Sequence, residues 1–496
     1  MITWGISANS HDAALAVFAD EKLAFASHSE RFSGIKNDPD LHKDLVNYAT
    51  DRWGEPGQIY WYERPILKSF RQLFAGQGFK FKENNIKKYL SAYGITAPIK
   101  YTNHHHSHAA AGYHTSPFEE ACVVVIDAIG EFDTLTIWHA CGEKLKKLYD
   151  LEYPHSIGLL YSAMTQRIGL TPNEEEYILM GMAAYGDSNR FYTDIMKDFI
   201  CFPDPLEDGN LLYVKENLHT GCKNWRPELV SEQDMFDIAA STQAVYETIF
   251  HKTLAYAKNL VNSKNLVLMG GCALNCKANP IAYKYFENVY IMPNPGDAGS
   301  AIGAVLAHNP SWKHYQQQPF NPFLGYDLGY HVNNEKIVDY LIENKICGIA
   351  RGPAEFGPRA LGNRSLIADP RDPNIKDKVN EIKQRQRFRP FAPAILAELS
   401  NDYFDIPGGS SPYMQMVARC RNPELFPAIV HYDGTSRVQT DEADGSPFRQ
   451  LLELWYKRTG CPMLLNTSLN IRGQPMVNNI NDVLEWEKKY NVRVFN

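Results

Sequence analysis

Four histidines fall in five positions of the stretch TNHHHSHAAAGYH, residues 102–114, in a chain that has only 16 in all. On a helix, His104 and His108 lie four residues apart on one face, with Cβ atoms about 5–6 Å apart, which suits two ligands of one metal ion. The competing account is the polar, half-exposed start of a helix. A zinc-protease motif is excluded, because His105 stands where that motif needs its glutamate. Two carboxylates strengthen the metal account. Asp127 closes the apolar run VVVID, and Asp297 sits in NPGDAGS ahead of an apolar helical stretch. An aspartate delivered to the end of a buried strand is costly unless a cation or hydrogen-bond donors meet it. Two histidines and two aspartates would form a mixed nitrogen and oxygen site suited to Fe(II), Mn(II) or Zn(II) more than to calcium. Each aspartate could equally cap the turn that follows it.

Other residues suit anions. The turn in MGGCALNCKAN, residues 269–279, follows an apolar run, so the backbone N–H groups of Gly270 and Gly271 could face a phosphate. It lacks the G-K-[ST] of a nucleotide-binding P-loop. Residues 345–389 hold eleven Lys and Arg against five acids in a chain whose net charge is -7. EFGPRALGNRSLIADPRD offers Arg359 and Arg364, KQRQRFRPFAP offers Lys383 and Arg389, and DGTSRVQT offers Arg437. LLNTSLNIRGQP adds Asn466, Asn470 and Arg472. Guanidinium groups fixed in turns suit phosphate, because each bidentate contact is charge-assisted and directional. Arg385 and Arg387 are expected to be solvated surface charges. Aromatic residues are not interleaved with the basic ones, which disfavours a groove for nucleic acid.

The elements that would position these groups can be read next. MITWGISANSHDAALAVFADEKLAFASHSERF reads as strand, polar loop, strand, tight turn at Asp20-Glu21, and strand. An antiparallel start of this sort is how actin-like and sugar-kinase-like ATPase domains begin. CVVVIDAIGE, NLVLMGGCALN and NVYIMPNPGDAGSAIGAVLA are short apolar runs ending in Gly-rich turns, the signature of an α/β domain with sites at strand ends. No repeat of fixed period is visible. The turn-rich segment 316–334 reads as a linker, giving domains 1–330 and 331–496. Length alone suggests two to four domains. Nine cysteines without a C-x-x-C pair fit reduced thiols. No apolar run reaches a membrane span, and the first 21 residues carry no Lys or Arg, so neither an anchor nor a signal peptide is expected and the reading is cytoplasmic.

The motifs together resemble, nearly end to end, the O-carbamoyltransferases of the nodulation and antibiotic-tailoring family. The stretches that carry this are GISANSHDAALAV, SERFSGIKND, HHHSHAAAGYHTSPFEEACVVVIDAIGE, YSAMTQRIGLTPNEEEYILMGMAAYGD, LMGGCALNCKAN, PGDAGSAIGA, EFGPRALGNRSLIADPRDP, FRPFAPAIL, VHYDGTSRVQT and PMLLNTSLNIRGQP. The resemblance implies an α/β protein: an N-terminal actin-like, threonylcarbamoyl-transferase-like domain and a C-terminal YrdC-like domain. It implies that His104, His108, Asp127 and Asp297 bind a divalent metal, Fe(II) with Mn or Zn as alternatives, while His105 and His106 do not. It also implies that carbamoyl phosphate and ATP, with Mg as its companion ion, form a carbamoyl-adenylate in the second domain. The carbamoyl group then passes in the first domain to a hydroxyl of a small acceptor. That acceptor is either a sugar or antibiotic-like metabolite, or a hydroxymethyl-pyrimidine nucleotide. His11 would be the general base, with Gly270, Gly271 and Asn275 at the nucleotide. Arg359, Lys383, Arg389, Arg437, Asn466 and Arg472 would hold carbamoyl phosphate. A homodimer is compatible with this reading. Met182-Ala183-Ala184-Tyr185-Gly186 stands where the family has L-A-P-Y-G, and Leu469 and Gln474 depart from its N-T-S-F-N-x-R-G-E. Two other classes remain open: a tRNA threonylcarbamoyl-type transferase, and an actin-like ATPase without group transfer.

Overall fold

The computed structural model describes residues 1–203, 209–315, 319–329, 332–442 and 446–496. The chain divides into two compact units, one of Met1–Ser29 with Pro39–Phe320 and one of Glu30–Asp38 with Asn321–Asn496. These bounds differ from a contiguous split at 330/331. The segment 316–334, read from sequence as a linker, lies partly outside the described residues, and its Phe323–Asp327 is a strand paired with Pro353–Glu355.

In the first unit, β1 (Ile2–Ser7), β2 (Ala14–Ala19) and β3 (Lys22–His28) form an antiparallel meander. Asp20 and Glu21 both have positive φ. Two left-handed residues give the two-residue turn whose twist matches a hairpin. β4 (Gln58–Trp61) and β5 (Ile99–Tyr101) then add parallel to β1, in the order β3-β2-β1-β4-β5. The second sheet repeats this plan. β6 (Glu120–Ile126), β7 (Asp133–Cys141) and β8 (Lys144–Glu152) are antiparallel, and β9 (Asn265–Met269) and β10 (Asn288–Tyr290) extend β6 in parallel, in the order β8-β7-β6-β9-β10. The repeat is one of topology, which a search for a fixed period in the residues does not reveal.

β6 and β9 are almost wholly buried, as expected of strands covered on both faces. Helix α1 (His104–Thr115) packs on them, and α2 (Ser300–Leu306) packs on α1. Gly303 permits that approach, because a Cβ there would lie 1.8 Å from the Ser107 carbonyl oxygen. The close packing fixes the first turn of α1 against the ends of the second sheet.

The second unit is built on a mixed eight-stranded sheet. Its order is Phe404–Asp405, Met416–Cys420, Thr435–Asp441, Ala392–Leu396, Met463–Ser468, Arg364–Ala368, Ile346–Ala350 and Val494–Phe495. Ala392–Leu396 and Ile346–Ala350 are buried at every position and run through its core. Both units are therefore α/β with mixed sheets.

Candidate metal centre and anion-binding loops

His104 and His108 stand in the first turns of α1, Asp127 follows β6, and Asp297 opens the short turn before α2. The four side chains meet. His104 Nε2 is 3.1 Å from His108 Nε2, and 3.4 Å from both Asp127 Oδ2 and Asp297 Oδ1. His108 Nε2 is 3.2 Å from Asp127 Oδ2 and 3.3 Å from Asp297 Oδ1. A tetrahedron with such edges has its centre about 2 Å from every corner, the length of a Zn–N or Zn–O bond. The donor set therefore fits one divalent cation. Asp127 also caps its turn, since its Oδ1 accepts a hydrogen bond from Ala128 N at 2.8 Å. Capping uses one oxygen and leaves the other facing the two histidines.

The electrostatics follow from this closeness. Burial works against both charged carboxylates and charged imidazoles. Contact reverses the balance: His104 and His108 hydrogen-bond Asp127 and hold its carboxyl well below the usual range, and the same pair draws Asp297 down to about 2. The carboxylates in turn raise His104 and His108 despite burial. A cation at the centre would take the place of the imidazolium protons. His105 and His106 stay outside the set. His105 Nδ1 is 3.0 Å from Thr136 Oγ1, and His106 stacks on Trp138.

Three further residues brace the centre, and sequence reasoning did not single them out. Glu131 accepts from the backbone N–H groups of Arg64 at 2.5 Å and His104 at 3.1 Å. Glu63 Oε2 lies 4.0 Å from His104 Nδ1, and its Oε1 accepts from Lys68 Nζ at 2.6 Å. Lys68 also donates to the Asn9 carbonyl at 2.6 Å, tying the His104 side to the loop that carries His11. Glu63 follows the apolar strand β4 as Asp127 follows β6, so the same signal was present in the sequence.

His11 lies in the loop between β1 and β2. Its Nε2 donates to the Asn173 carbonyl at 3.0 Å and its Nδ1 lies 3.3 Å from Asp12 Oδ2. Burial opposes its charge, but the hydrogen bond and charge of Asp12, with the charge of Asp297, push the pKa up to about 9. The Gly270 N–H donates to the Pro295 carbonyl at 2.9 Å, so it is not free to meet an anion. Its positive φ and the Ile126 carbonyl oxygen 2.1 Å from a would-be Cβ make it a packing glycine. Gly271 flanks Asp127, whose Oδ1 is 3.1 Å from the Cβ position. Asn275 exchanges two 3.1 Å hydrogen bonds with Gln243 in a buried pair.

In the second unit the expected ligands fall into two kinds. Asn466 Nδ2 donates to Ala360 O at 3.1 Å and Gln439 Oε1 at 2.7 Å, joining the loop after Arg359 to the strand of Arg437. Its Oδ1 is buried without a partner, as is Arg437 Nε. Lys383 is committed instead. Its Nζ faces Ser468 O, Ser468 Oγ, Asn470 O and Asn470 Oδ1 at 2.5 to 3.2 Å, four acceptors for three protons. Burial, with Arg385 and Arg389 nearby, holds its pKa well below the ordinary value. Lys383 thus shapes the loop next to Arg472, whose N–H donates to its carbonyl at 3.0 Å. Arg389 is half-buried and Arg472 exposed.

Besides Gly270 and Lys383, two further sequence expectations are corrected. Arg385 is no solvated charge: it donates to Asn380 Oδ1 at 2.7 Å and stacks 4.1 Å over Phe391. Arg364 is fully buried, and its guanidinium donates to the carbonyls of Tyr326, Arg351, Gly352, Asn363 and Asn478. It organises backbone and has nothing left for a phosphate.

Comparison with known proteins covers most of the chain. Residues 67–306 match the family model Carbamoyltransferase N-terminus, and residues 338–495 match Carbamoyltransferase C-terminus. Uncharacterized protein sll1178 of Synechocystis is 34% identical, over 95% of this chain and 92% of its own length. Nodulation protein NolO of Bradyrhizobium diazoefficiens is 32% identical over 77% of this chain and 75% of its own. The 3'-hydroxymethylcephem-O-carbamoyltransferase of Amycolatopsis lactamdurans is 26% identical over 96% and 94%. Among the described residues no helix is long and apolar enough to cross a membrane. With both halves matched in order, the chain belongs to the carbamoyltransferase family and is a transferase that moves a carbamoyl group from a donor to an acceptor.

Proposed function

We propose that this chain is an ATP-dependent O-carbamoyltransferase, with an actin-like first unit for transfer and a YrdC-like second unit that makes the activated donor. The observation that carries the reading is the convergence of His104, His108, Asp127 and Asp297 in the half matched by the N-terminal family model. The repeated sheet plan supports the actin-like assignment.

In the second unit, water would cleave carbamoyl phosphate to carbamate and phosphate. The carbamate oxygen would then attack the α-phosphorus of ATP, releasing pyrophosphate and leaving carbamoyl-adenylate. Arg359, Arg389, Arg437 and Arg472 would hold the phosphate, with Lys383 positioning the loop of Arg472. The orphaned Asn466 Oδ1 is an acceptor suited to the carbamoyl NH2, since a buried oxygen left unpaired is costly until a donor reaches it.

In the first unit, His104, His108, Asp127 and Asp297 would hold a divalent metal, Fe(II) before Mn or Zn. Such a metal supplies positive charge to a leaving phosphate. The acceptor oxygen would attack the carbamoyl carbon, the bond to the adenylate oxygen would break, and AMP would leave. His11 would take the hydroxyl proton on Nε2, a step typically worth a 10²–10⁴-fold effect. It must first give up the proton now shared with Asn173 O, which Asp12 chiefly holds in place.

Two half-reaction assays test the scheme. His11→Asn should abolish carbamate formation yet keep carbamoyl-phosphate-dependent pyrophosphate release. Arg389→Ala should lose both, and synthetic carbamoyl-adenylate should restore transfer only in Arg389→Ala. Near wild-type transfer by His11→Asn from the supplied intermediate would remove His11 from the mechanism.

A further inference from the structure

The helix Pro65–Phe74 is turned inside out. Its apolar residues face solvent, with Ile66 60% exposed, Phe70 49%, Leu73 47% and Phe74 70%. Its polar residues Lys68, Ser69 and Arg71 are buried, at 3%, 0% and 8%. A helix on an ordinary core does the opposite; here Ser69 Oγ accepts from Asn84 Nδ2 at 2.8 Å. Lys68 is matched by Glu63. Arg71 feels the Glu63 charge from a distance but makes no ion pair of its own among the described residues. Its Nη1 donates to Gln77 Oε1 at 3.1 Å, its Nε is buried without a partner, and no carboxylate pairs with it among the described residues. A guanidinium buried without a counter-ion is costly.

Polar side chains lie near it. Gln77 is exposed, and its Nε2 lies 2.6 Å from His219 Nε2. His219 packs edge-on against Tyr153, whose hydroxyl accepts from Asn217 at 2.5 Å. Burial and the charge of Arg71 together hold the His219 imidazole below its ordinary pKa. The position also matters. Lys68, three residues before Arg71 on the same face, leads through Glu63 to His104 of the candidate metal centre. Arg71 and Lys68 therefore line one wall of the first unit, and Lys68 is the end of that wall tied to the centre.

We propose that the inner face of this helix is a subsite for an anionic group of the acceptor, a phosphate or a carboxylate, with Arg71 as its counter-ion. The inference rests on the transfer reading of the first unit and narrows the acceptor to a hydroxylated anion.

Calorimetric binding of glucose, glucuronate and glucose 6-phosphate to the full chain tests it, since the three differ only in the group at C6. Arg389→Ala is the background, which silences the phosphate site of the second unit. At least one anion should bind ten times tighter than glucose. Arg71→Met should erase that preference and Arg71→Lys should keep part of it. Whichever anion binds better identifies the group. Without ligand, Arg71→Met should melt no lower than its parent, because an unmatched buried charge is removed. Equal binding of the three sugars, an unchanged preference in Arg71→Met, or a lowered melting temperature without ligand would each overturn the proposal. ATP and carbamoyl phosphate are absent from the assay, so its failure leaves carbamoyl transfer standing, and a failed transfer assay leaves the binding result standing.

Discussion

Breaking the Glu63–Lys68 pair should cost more than removing it. The two side chains are almost wholly buried and 2.6 Å apart. Lys68→Met leaves the Glu63 carboxylate and the Asn9 carbonyl without their donor, and Glu63→Gln leaves the Lys68 ammonium without its counter-charge. Stranding one partner of a buried ion pair costs about 3–5 kcal/mol, whereas replacing both is often close to neutral. The double variant should therefore lose no more stability than either single one. The coupling energy from denaturant unfolding should then be at least one stranding penalty, about 3–5 kcal/mol, above the ~0.5 kcal/mol within which independent sites add. Metal affinity gives a second readout, because Glu63 faces His104 Nδ1 at 4.0 Å. Partners in that position typically alter affinity 10–100-fold, so Glu63→Gln should weaken metal binding by about that factor. Additive losses in the double variant, with metal affinity unchanged, would refute the argument that this pair is one unit bracing the centre.

Other outcomes follow from the same geometry. His108→Ala removes one of four converging ligand atoms, so purified protein should carry much less metal than wild type by elemental analysis; equal content would sink the assignment. Arg389→Ala should weaken carbamoyl phosphate roughly 10- to 150-fold, from about 1.5–3 kcal/mol per hydrogen bond to a charged group, while the exposed Arg387→Ala should not. Arg385→Ala, which loses the Asn380 bond and the Phe391 stack, should lower stability by about 1–2 kcal/mol in an unfolding titration. His114 is buried, and burial together with Lys313 and His106 holds its pKa down to about 3. The unfolded chain then binds a proton that the folded one refuses between the ordinary value of 6.5 and about 3. Stability should be full above that window and fall with pH inside it, by up to about 1.4 kcal/mol per pH unit. Melting scans of His114→Leu should show a shallower acid limb than wild type.

The local chemistry of the first unit was legible in the sequence because strands and helices carry it. The i, i+4 spacing of His104 and His108 and the strand-end position of Asp127 survive any change in the rest of the fold, and MITWGIS to HSERF reads as the meander that forms. What the sequence hid depends on where long side chains end. Arg359, Arg364, Arg385 and Arg389 look alike in a basic stretch, yet Arg364 is spent on five carbonyls and Arg385 on a ring and an amide. Lys383 is likewise consumed by a neighbouring loop, because burial demands that its ammonium be satisfied locally. Glycines mislead in the same way. Gly270 carries the turn of an anion loop, but its N–H is already taken by Pro295. The repeated sheet escaped because topology repeats without residue identity.

The segment Glu30–Asp38 belongs to the second unit although the chain on both sides of it belongs to the first. The polypeptide therefore passes between the units three times, after residues 29, 38 and 320. Neither unit can be released by cutting one peptide bond, and a fragment beginning at 321 would lack Arg31, which donates to the Gly357 carbonyl at 3.0 Å. Gene fusion of two ready-made modules joins them once. A chain woven in this way closes its second unit late: the nine residues 30–38 must wait through the 282 residues of 39–320 before the rest of their unit is made.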